Sequence, residues 1–99
     1  MSNPTLRVVA RIVAIPTQIE QVKTILSELI EPTRAEAGCI QYELLQNQAD
    51  PTDFTFVEEW GSVPELDAHL DSLHIHTAIG KLEGLLAAPP DIRRYDKLL

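Results

Sequence analysis

The feature that most limits the fold of this chain is the segment LRVVARIVAI, residues 6–15. Its β-branched residues predict a strand. One alternating set of its side chains is wholly apolar, and the other set still contains Val9, Val13 and Ile15. A strand that is apolar on both faces is covered on both faces. Because a chain of 99 residues buries only about 60–65% of its unfolded surface, we expect a second copy of the chain to supply one cover.

A helical region is predicted next. Thr17 and Glu20 match the capping-box pattern that begins a helix, and apolar residues then recur at helical spacing. Pro32 lacks a backbone N–H and is expected to kink or restart this helix. Gly38 is expected to end the extension, because glycine suits the left-handed position after a helix.

Two strands joined by a polar turn follow the first helical region. In residues 39–47, Ile40, Tyr42 and Leu44 form one alternating set. Residues 54–60 are a second strand, and the turn-forming residues between the two segments indicate an antiparallel hairpin.

The last part of the chain predicts a second helical region and a final strand. Ser62 and Glu65 form another capping box, and helical spacing continues beyond a break near Asp71–Ser72. Residues 91–99 predict the last strand. The order β-α-β-β-α-β predicts an α+β, ferredoxin-like domain over residues 1–99, with helices on one face of an antiparallel four-stranded sheet. Two such sheets packed face to face would form a homodimer, and further assembly of dimers is left open.

Charge and composition limit the classes of molecule that the protein is expected to bind. Fifteen acidic residues against eight basic ones give a formal charge of −7, which repels nucleic acids and anionic membrane surfaces. A small neutral or aromatic ligand fits this charge better. Cys39 is the only cysteine, and the amino-terminal residues show no export signal, so we expect a cytoplasmic protein.

All three histidines lie in the stretch HLDSLHIH, residues 69–76. On a continuous helix, His69 and His76 lie about 10 Å apart along the axis, and His74 points about 140° away from His69. A metal ion needs nitrogens about 2.1 Å from it, so no metal is expected unless a break at Asp71–Ser72 brings His69 and His74 together. Surface positions, ligand contact and proton transfer stay open for each histidine.

Glu58 shares one side of its strand with Phe54, Phe56 and Trp60, and this side is expected to face the helices. A carboxylate among aromatic rings is either a hydrogen-bonded structural group or a base whose pKa is raised by burial. Trp60 fits either the core or a ligand-binding surface. The sequence contains no phosphate-binding glycine loop, CxxC pair or GxSxG elbow. No cofactor is therefore predicted, and any oxidation would use the substrate's own electrons.

Three motifs in order give the chain a family resemblance: G-C-x-x-Y at residues 38–42, E-x-W at 58–60 and H-L-x-x-x-H at 69–74. With these motifs, residues 6–97 resemble the antibiotic biosynthesis monooxygenase (ABM) domain. The resemblance implies a dimeric α+β barrel with a pocket between sheet and helices in each subunit. It also implies oxidation of electron-rich phenols or quinols by O2 without metal or flavin.

The resemblance places Glu58, Trp60 and His74 at pocket positions of that family. The first functional hypothesis is therefore a homodimeric, cofactor-independent monooxygenase that acts on a quinol-like or polyphenolic compound. In this hypothesis the base that forms the phenolate is His74 or Glu58, His69 assists or orients, and the aromatic wall consists of Trp60, Tyr42 and Phe56.

Two other functions are compatible with the same residues. One is an isomerase of a small carbonyl or phosphorylated metabolite, although the chain lacks a cationic cluster for phosphate. The other is a non-catalytic dimeric binding module. Haem degradation is not expected, because the haem-degrading branch of the family needs asparagine and histidine where this chain has Ile12 and Ile79.

Overall fold

The computed structural model describes residues 5–99, which form four strands and four α-helices. The strands are Leu6–Val13 (β1), Cys39–Gln46 (β2), Asp53–Trp60 (β3) and Asp91–Asp96 (β4). The helices are Ile19–Ser27 (α1), Ile30–Arg34 (α2), Val63–Leu70 (α3) and Leu73–Leu82 (α4), and a 3₁₀ turn at Pro16–Gln18 precedes α1. Each predicted helical region is thus a pair of short helices. The export prediction rests partly on residues 1–4, which lie outside the described range.

The four strands form one antiparallel sheet in the order β2-β3-β1-β4. The central strand β1 pairs with β3, so that Val8 lies opposite Glu58 and Ala10 opposite Phe56. Its other edge pairs with β4. The helices cover one face of the sheet, where buried side chains of β1, β3, α1, α3 and α4 form a single core. The predicted α+β, ferredoxin-like fold is confirmed.

The two predicted capping boxes have different outcomes. Ser62 caps α3, because its Oγ accepts a hydrogen bond from the Glu65 N–H at 3.3 Å. The predicted cap at Thr17 is wrong. Pro16 opens a 3₁₀ turn that contains Thr17, and α1 begins after Gln18 without a side-chain cap. The fixed φ and missing N–H of proline suit the first position of a helical turn, which moves the start of α1 past Thr17.

The interruption at Pro32 is confirmed, and it falls earlier in the chain than the proline. In a continuous helix the N–H of residue 32 would bond to the carbonyl of Glu28, and proline has no N–H to give. The helix accordingly breaks after Ser27 and restarts at Ile30. Gly38 does not end the helix, because α2 already stops at Arg34. With φ at 81°, Gly38 instead shapes the turn before β2.

The predicted break between α3 and α4 lies at Asp71–Ser72. Ser72 begins a new helix, since its Oγ accepts a hydrogen bond from the Ile75 N–H at 3.4 Å. The Ser72 hydroxyl also donates to the carbonyl of His69 at 2.6 Å. Because the helix stops and restarts, side chains of α4 are no longer placed by the helical rotation of α3.

A bulge in β2 changes one predicted side-chain direction. The pairing with β3 skips a residue between Cys39 and Gln41, which leaves Ile40 unpaired. Ile40 is 55% exposed while Tyr42 is 3% exposed. The prediction that Ile40 and Tyr42 share one face is therefore wrong, because the extra residue breaks the alternation.

The sheet face away from the helices has an apolar centre, and the ion pair between Arg7 and Glu59 (3.3 Å) lies beside it. Val9 and Val57 are paired neighbours on this face and are half-buried. Leu45 and Tyr95 on the outer strands are 50% and 46% exposed. In residues 5–99, no helix has both the length and the apolar content needed to cross a membrane.

Candidate functional site

A cavity of about 90 Å³ lies between the sheet and the helices. Glu58, His69 and Tyr42 contribute the polar side chains of its wall. The remaining wall is apolar and comes from Val8, Ala10, Ile12, Leu26, Leu29, Phe56, Leu70, Ile75, Ala78, Ile79, Leu82, Pro90 and Ile92. An apolar chamber with a few converging polar groups is the usual composition of a small-molecule site.

Glu58 is the acidic group of this cavity wall, and its side chain is 4% exposed. Its Oε1 accepts a hydrogen bond from Trp60 Nε1 at 2.9 Å. Burial raises the pKa of Glu58 from 4.5 to about 7, and the charge of Glu36 acts in the same direction. The hydrogen bond from Trp60 opposes this rise because it favours the carboxylate. Glu58 therefore changes charge near neutral pH.

The aromatic side chains form a packed group around the polar residues. The rings of Tyr42 and Phe56 stack with centroids 4.9 Å apart. Trp60 is fully buried, and its ring lies 4.6 Å from that of His69. Burial, followed by the charge of Glu58, raises the pKa of Tyr42. Tyr42 is therefore a neutral phenol at physiological pH.

Two histidines and a carboxylate converge beside the cavity. Glu36 Oε2 accepts hydrogen bonds from His69 Nδ1 at 2.5 Å and from His74 Nε2 at 3.1 Å. The exposed fractions of these side chains are 2% for His69, 19% for Glu36 and 25% for His74. Burial lowers the pKa of His69, and the contact with Glu36 opposes this shift. The break at Asp71–Ser72 thus brings His69 and His74 together, which a continuous helix forbids.

The structure separates the predicted site residues into two groups. Tyr42, Phe56, Glu58 and His69 all line the cavity. Trp60 lies behind this wall, against Glu58 and His69.

His74 lies on the outer side of Glu36, where it lines a surface groove between α1 and α4. The structure therefore does not place it in the cavity wall with Glu58. His76 is exposed and pairs with Asp71 at 3.2 Å.

Glu36 is the residue that sequence reasoning missed. It follows the end of α2 and lies 33 positions from its nearest histidine partner. No short spacing links Glu36 to residues 69–76. The only sequence signal close to it is the G-C-x-x-Y motif, which begins two residues later.

Comparison with known proteins agrees with this architecture. The family model described as "Antibiotic biosynthesis monooxygenase" matches residues 5–81. The protein "Putative monooxygenase Rv0793" of Mycobacterium tuberculosis is 33% identical over 89 residues, which cover 90% of this chain and 86% of that protein. "Uncharacterized protein sll1783" of Synechocystis sp. is 32% identical over 80 residues, which cover 81% of this chain and 54% of that protein. This chain thus spans about half the length of the Synechocystis relative.

Solved structures extend the similarity to the whole fold. The crystal structure of PA3566 from Pseudomonas aeruginosa superposes with a TM-score of 0.93 at 31% identity, covering 100% of this chain and 99% of that one. The family match covers residues 5–81, and the superposition covers the whole described fold. The chain therefore belongs to the antibiotic biosynthesis monooxygenase family.

Proposed function

We propose that this protein is a monooxygenase that oxidises a small quinol-like or polyphenolic compound with O2. The observation that carries the proposal is a buried carboxylate, Glu58, in the wall of an otherwise apolar cavity. Membership of the family supports a monooxygenase-like activity in general. The substrate class and the role of each residue are specific to this proposal.

The surroundings of the cavity suit a flat apolar ligand. Two of its wall residues, Ile79 and Ile92, are 57% and 47% exposed, so the chamber opens between α4 and β4. An outer groove of about 490 Å³ shares Ile79, Leu82 and Pro90 with the chamber. The chamber of about 90 Å³ is smaller than the roughly 300 Å³ or more of a typical ligand site. We infer that a substrate places its reactive ring inside and extends into the groove.

Glu58 is the proposed base. Of the two candidates that the sequence suggested, Glu58 faces the cavity and His74 does not. A phenol with a pKa near 10 is almost entirely protonated at pH 7. A carboxylate whose pKa is about 7 accepts its proton more readily than an ordinary glutamate, because catalysis is most efficient when the pKa of the base is near the working pH.

The substrate supplies all the electrons in this reaction. A quinol and O2 give a hydroxyquinone and water, so one oxygen atom enters the ring and the other leaves as water. The four electrons that O2 takes up come from the quinol, and deprotonation by Glu58 makes the ring a better electron donor. The apolar wall keeps water from the reacting ring. Tyr42 and Phe56 would pack against the reacting ring, and His69 would orient it. Trp60 would hold Glu58 in place through its hydrogen bond.

Oxygen uptake is the direct test of the proposal. Purified protein is given a panel of reduced quinones and polyphenols in an oxygen electrode, and the autoxidation of each compound without protein is subtracted. We expect protein-dependent uptake, with one atom of isotopically labelled O2 in the product by mass spectrometry. Binding without turnover would instead indicate a non-catalytic module, and rearrangement without oxygen uptake would indicate an isomerase.

We also propose that the protein is a homodimer joined through the sheet face away from the helices. This face carries Val9 and Val57 at its centre and the exposed Leu45 and Tyr95 at its margins. Sedimentation velocity at micromolar concentration should show a dimer of the 11.0 kDa chain. Val57→Glu should place a charge in the interface and shift the protein towards monomer. A folded wild-type monomer would refute the proposal.

A further inference from the structure

We propose that Glu36, His69 and His74 form a binding site for a first-row divalent transition metal ion. This inference does not depend on the oxygenase activity proposed above. The three residues come from the turn after α2, the last turn of α3 and the first turn of α4. Their donor atoms all lie within 4.8 Å of one another.

The separations between the donor atoms are close to those of a coordinated ion. Ligands about 2.1 Å from a tetrahedral zinc ion lie roughly 3.4 Å from one another. Glu36 Oε2 lies 2.5 Å from His69 Nδ1 and 3.1 Å from His74 Nε2. These two separations would each change by less than about 1 Å to admit an ion, and the separation of the two nitrogens is at most 4.8 Å. Glu36 lies in a turn and His74 in the first turn of a helix, so both side chains have room to make these shifts.

The hydrogen bonds of His69 and His74 to Glu36 place protons where a cation would sit in a metal site. Two N–H groups converge on the same carboxylate oxygen, and an ion with the same three ligands would replace both protons. Among residues 5–99, the side-chain hydrogen bonds of Glu36 all use Oε2, so Oε1 is available as a further ligand atom.

The donor set selects the kind of ion. Two imidazole nitrogens and one carboxylate oxygen suit zinc, iron, cobalt or nickel better than magnesium or calcium, which prefer oxygen ligands alone. Two histidines with one glutamate also make up several catalytic zinc sites, in which water completes the coordination. The net charge of −7 favours binding of a cation.

The surroundings hold one ligand rigidly and leave the others accessible. The His69 ring packs against Trp60 at 4.6 Å and Tyr42 at 5.5 Å, which fixes its orientation as packed and hydrogen-bonded neighbours do in known metal sites. Glu36 and His74 are 19% and 25% exposed. An ion can therefore reach the site from solvent without passing through the cavity.

Zinc binding tests the proposal. Tag-free protein is freed of metal with a chelator and titrated with ZnCl2 by calorimetry, and CoCl2 gives a parallel readout through visible absorption. We expect one ion per chain. Loss of an outer-shell partner alone weakens metal binding by about 10–100-fold, so Glu36→Gln and His74→Ala should each weaken zinc binding by at least that factor.

Two matched variants separate this site from surface binding. Glu31→Gln changes an exposed carboxyl on α2, and His76→Ala removes an exposed imidazole from α4. Both should keep the wild-type affinity, and circular dichroism should show all four variants folded. The proposal is overturned by the absence of stoichiometric binding. It is equally overturned if Glu36→Gln and His74→Ala bind zinc as tightly as the wild type.

Discussion

Replacing Glu58 with glutamine is expected to lower the kcat of quinol-dependent oxygen uptake by about 10²–10⁴-fold, the usual contribution of a positioned base. Glutamine has nearly the same shape and can still accept the hydrogen bond from Trp60 Nε1. It cannot accept the phenolic proton. The loss should therefore appear in kcat with little change in KM, measured with an oxygen electrode.

The pH profile gives a second readout of the same substitution. In the proposed mechanism the carboxylate is the active form of the base, and the pKa of Glu58 is about 7. The wild-type rate should therefore rise with pH through about 7 and level off above it, while the residual rate of Glu58→Gln should lack this step. Glu20→Gln changes an exposed carboxyl on α1 and is the matched control. An unchanged kcat in Glu58→Gln would assign the proton to another group.

Stability should change in the opposite direction from activity. The pKa of Glu58 is raised in the fold, so the folded state holds this proton more tightly than the unfolded chain. Above pH 7 both states are ionised, and the fold carries an unfavourable contribution that disappears as the pH falls below 4.5. A rise from 4.5 to about 7 corresponds to about 3 kcal/mol at most. Glu58→Gln should therefore be more stable than the wild type at pH 8 and nearly equal to it at pH 4.

Replacing Trp60 with alanine is expected to lower the free energy of unfolding by about 3–5 kcal/mol. The indole is fully buried among Glu58, His69 and the core of the sheet, so its removal leaves a cavity and an unpartnered carboxylate oxygen. Because total stability is about 5–15 kcal/mol, this loss is a large share of it. Urea unfolding measures this loss of stability. Far-UV circular dichroism is the signal, because Trp60 is the only tryptophan and its removal abolishes tryptophan fluorescence.

Trp60→Phe separates packing from hydrogen bonding. Phenylalanine keeps much of the ring volume but cannot donate to Glu58, so the loss should be smaller than for alanine. The hydrogen bond from Trp60 is what opposes the rise in the pKa of Glu58, and its removal should move the step in the pH profile to higher pH. Both variants must be compared with wild type at equal protein concentration, because the proposed dimerisation would make stability concentration-dependent. A loss below about 1 kcal/mol in Trp60→Ala would contradict the packing described here.

The sequence by itself determined the order of the elements and the side of β3 that is buried. Alternation fixes which side chains share a face of a strand, so Phe54, Phe56, Glu58 and Trp60 could be assigned together and are all buried. Capping and turn residues act over only a few positions. They therefore also located the hairpin and the break at Asp71–Ser72 from the sequence. The bulge at Ile40 escaped prediction because no local signal announces an extra residue in a ladder.

Only the tertiary structure decided which ionisable groups meet. Glu36 and His69 are far apart in the chain, and the packing of the α2–β2 turn against α3 brings them into contact. His74 reaches the same carboxylate as His69 because α4 starts afresh at Ser72, whereas on a continuous helix the two side chains would point about 140° apart. Contacts of this kind depend on how whole elements pack, and packing depends on the combined burial of many side chains rather than on any short motif.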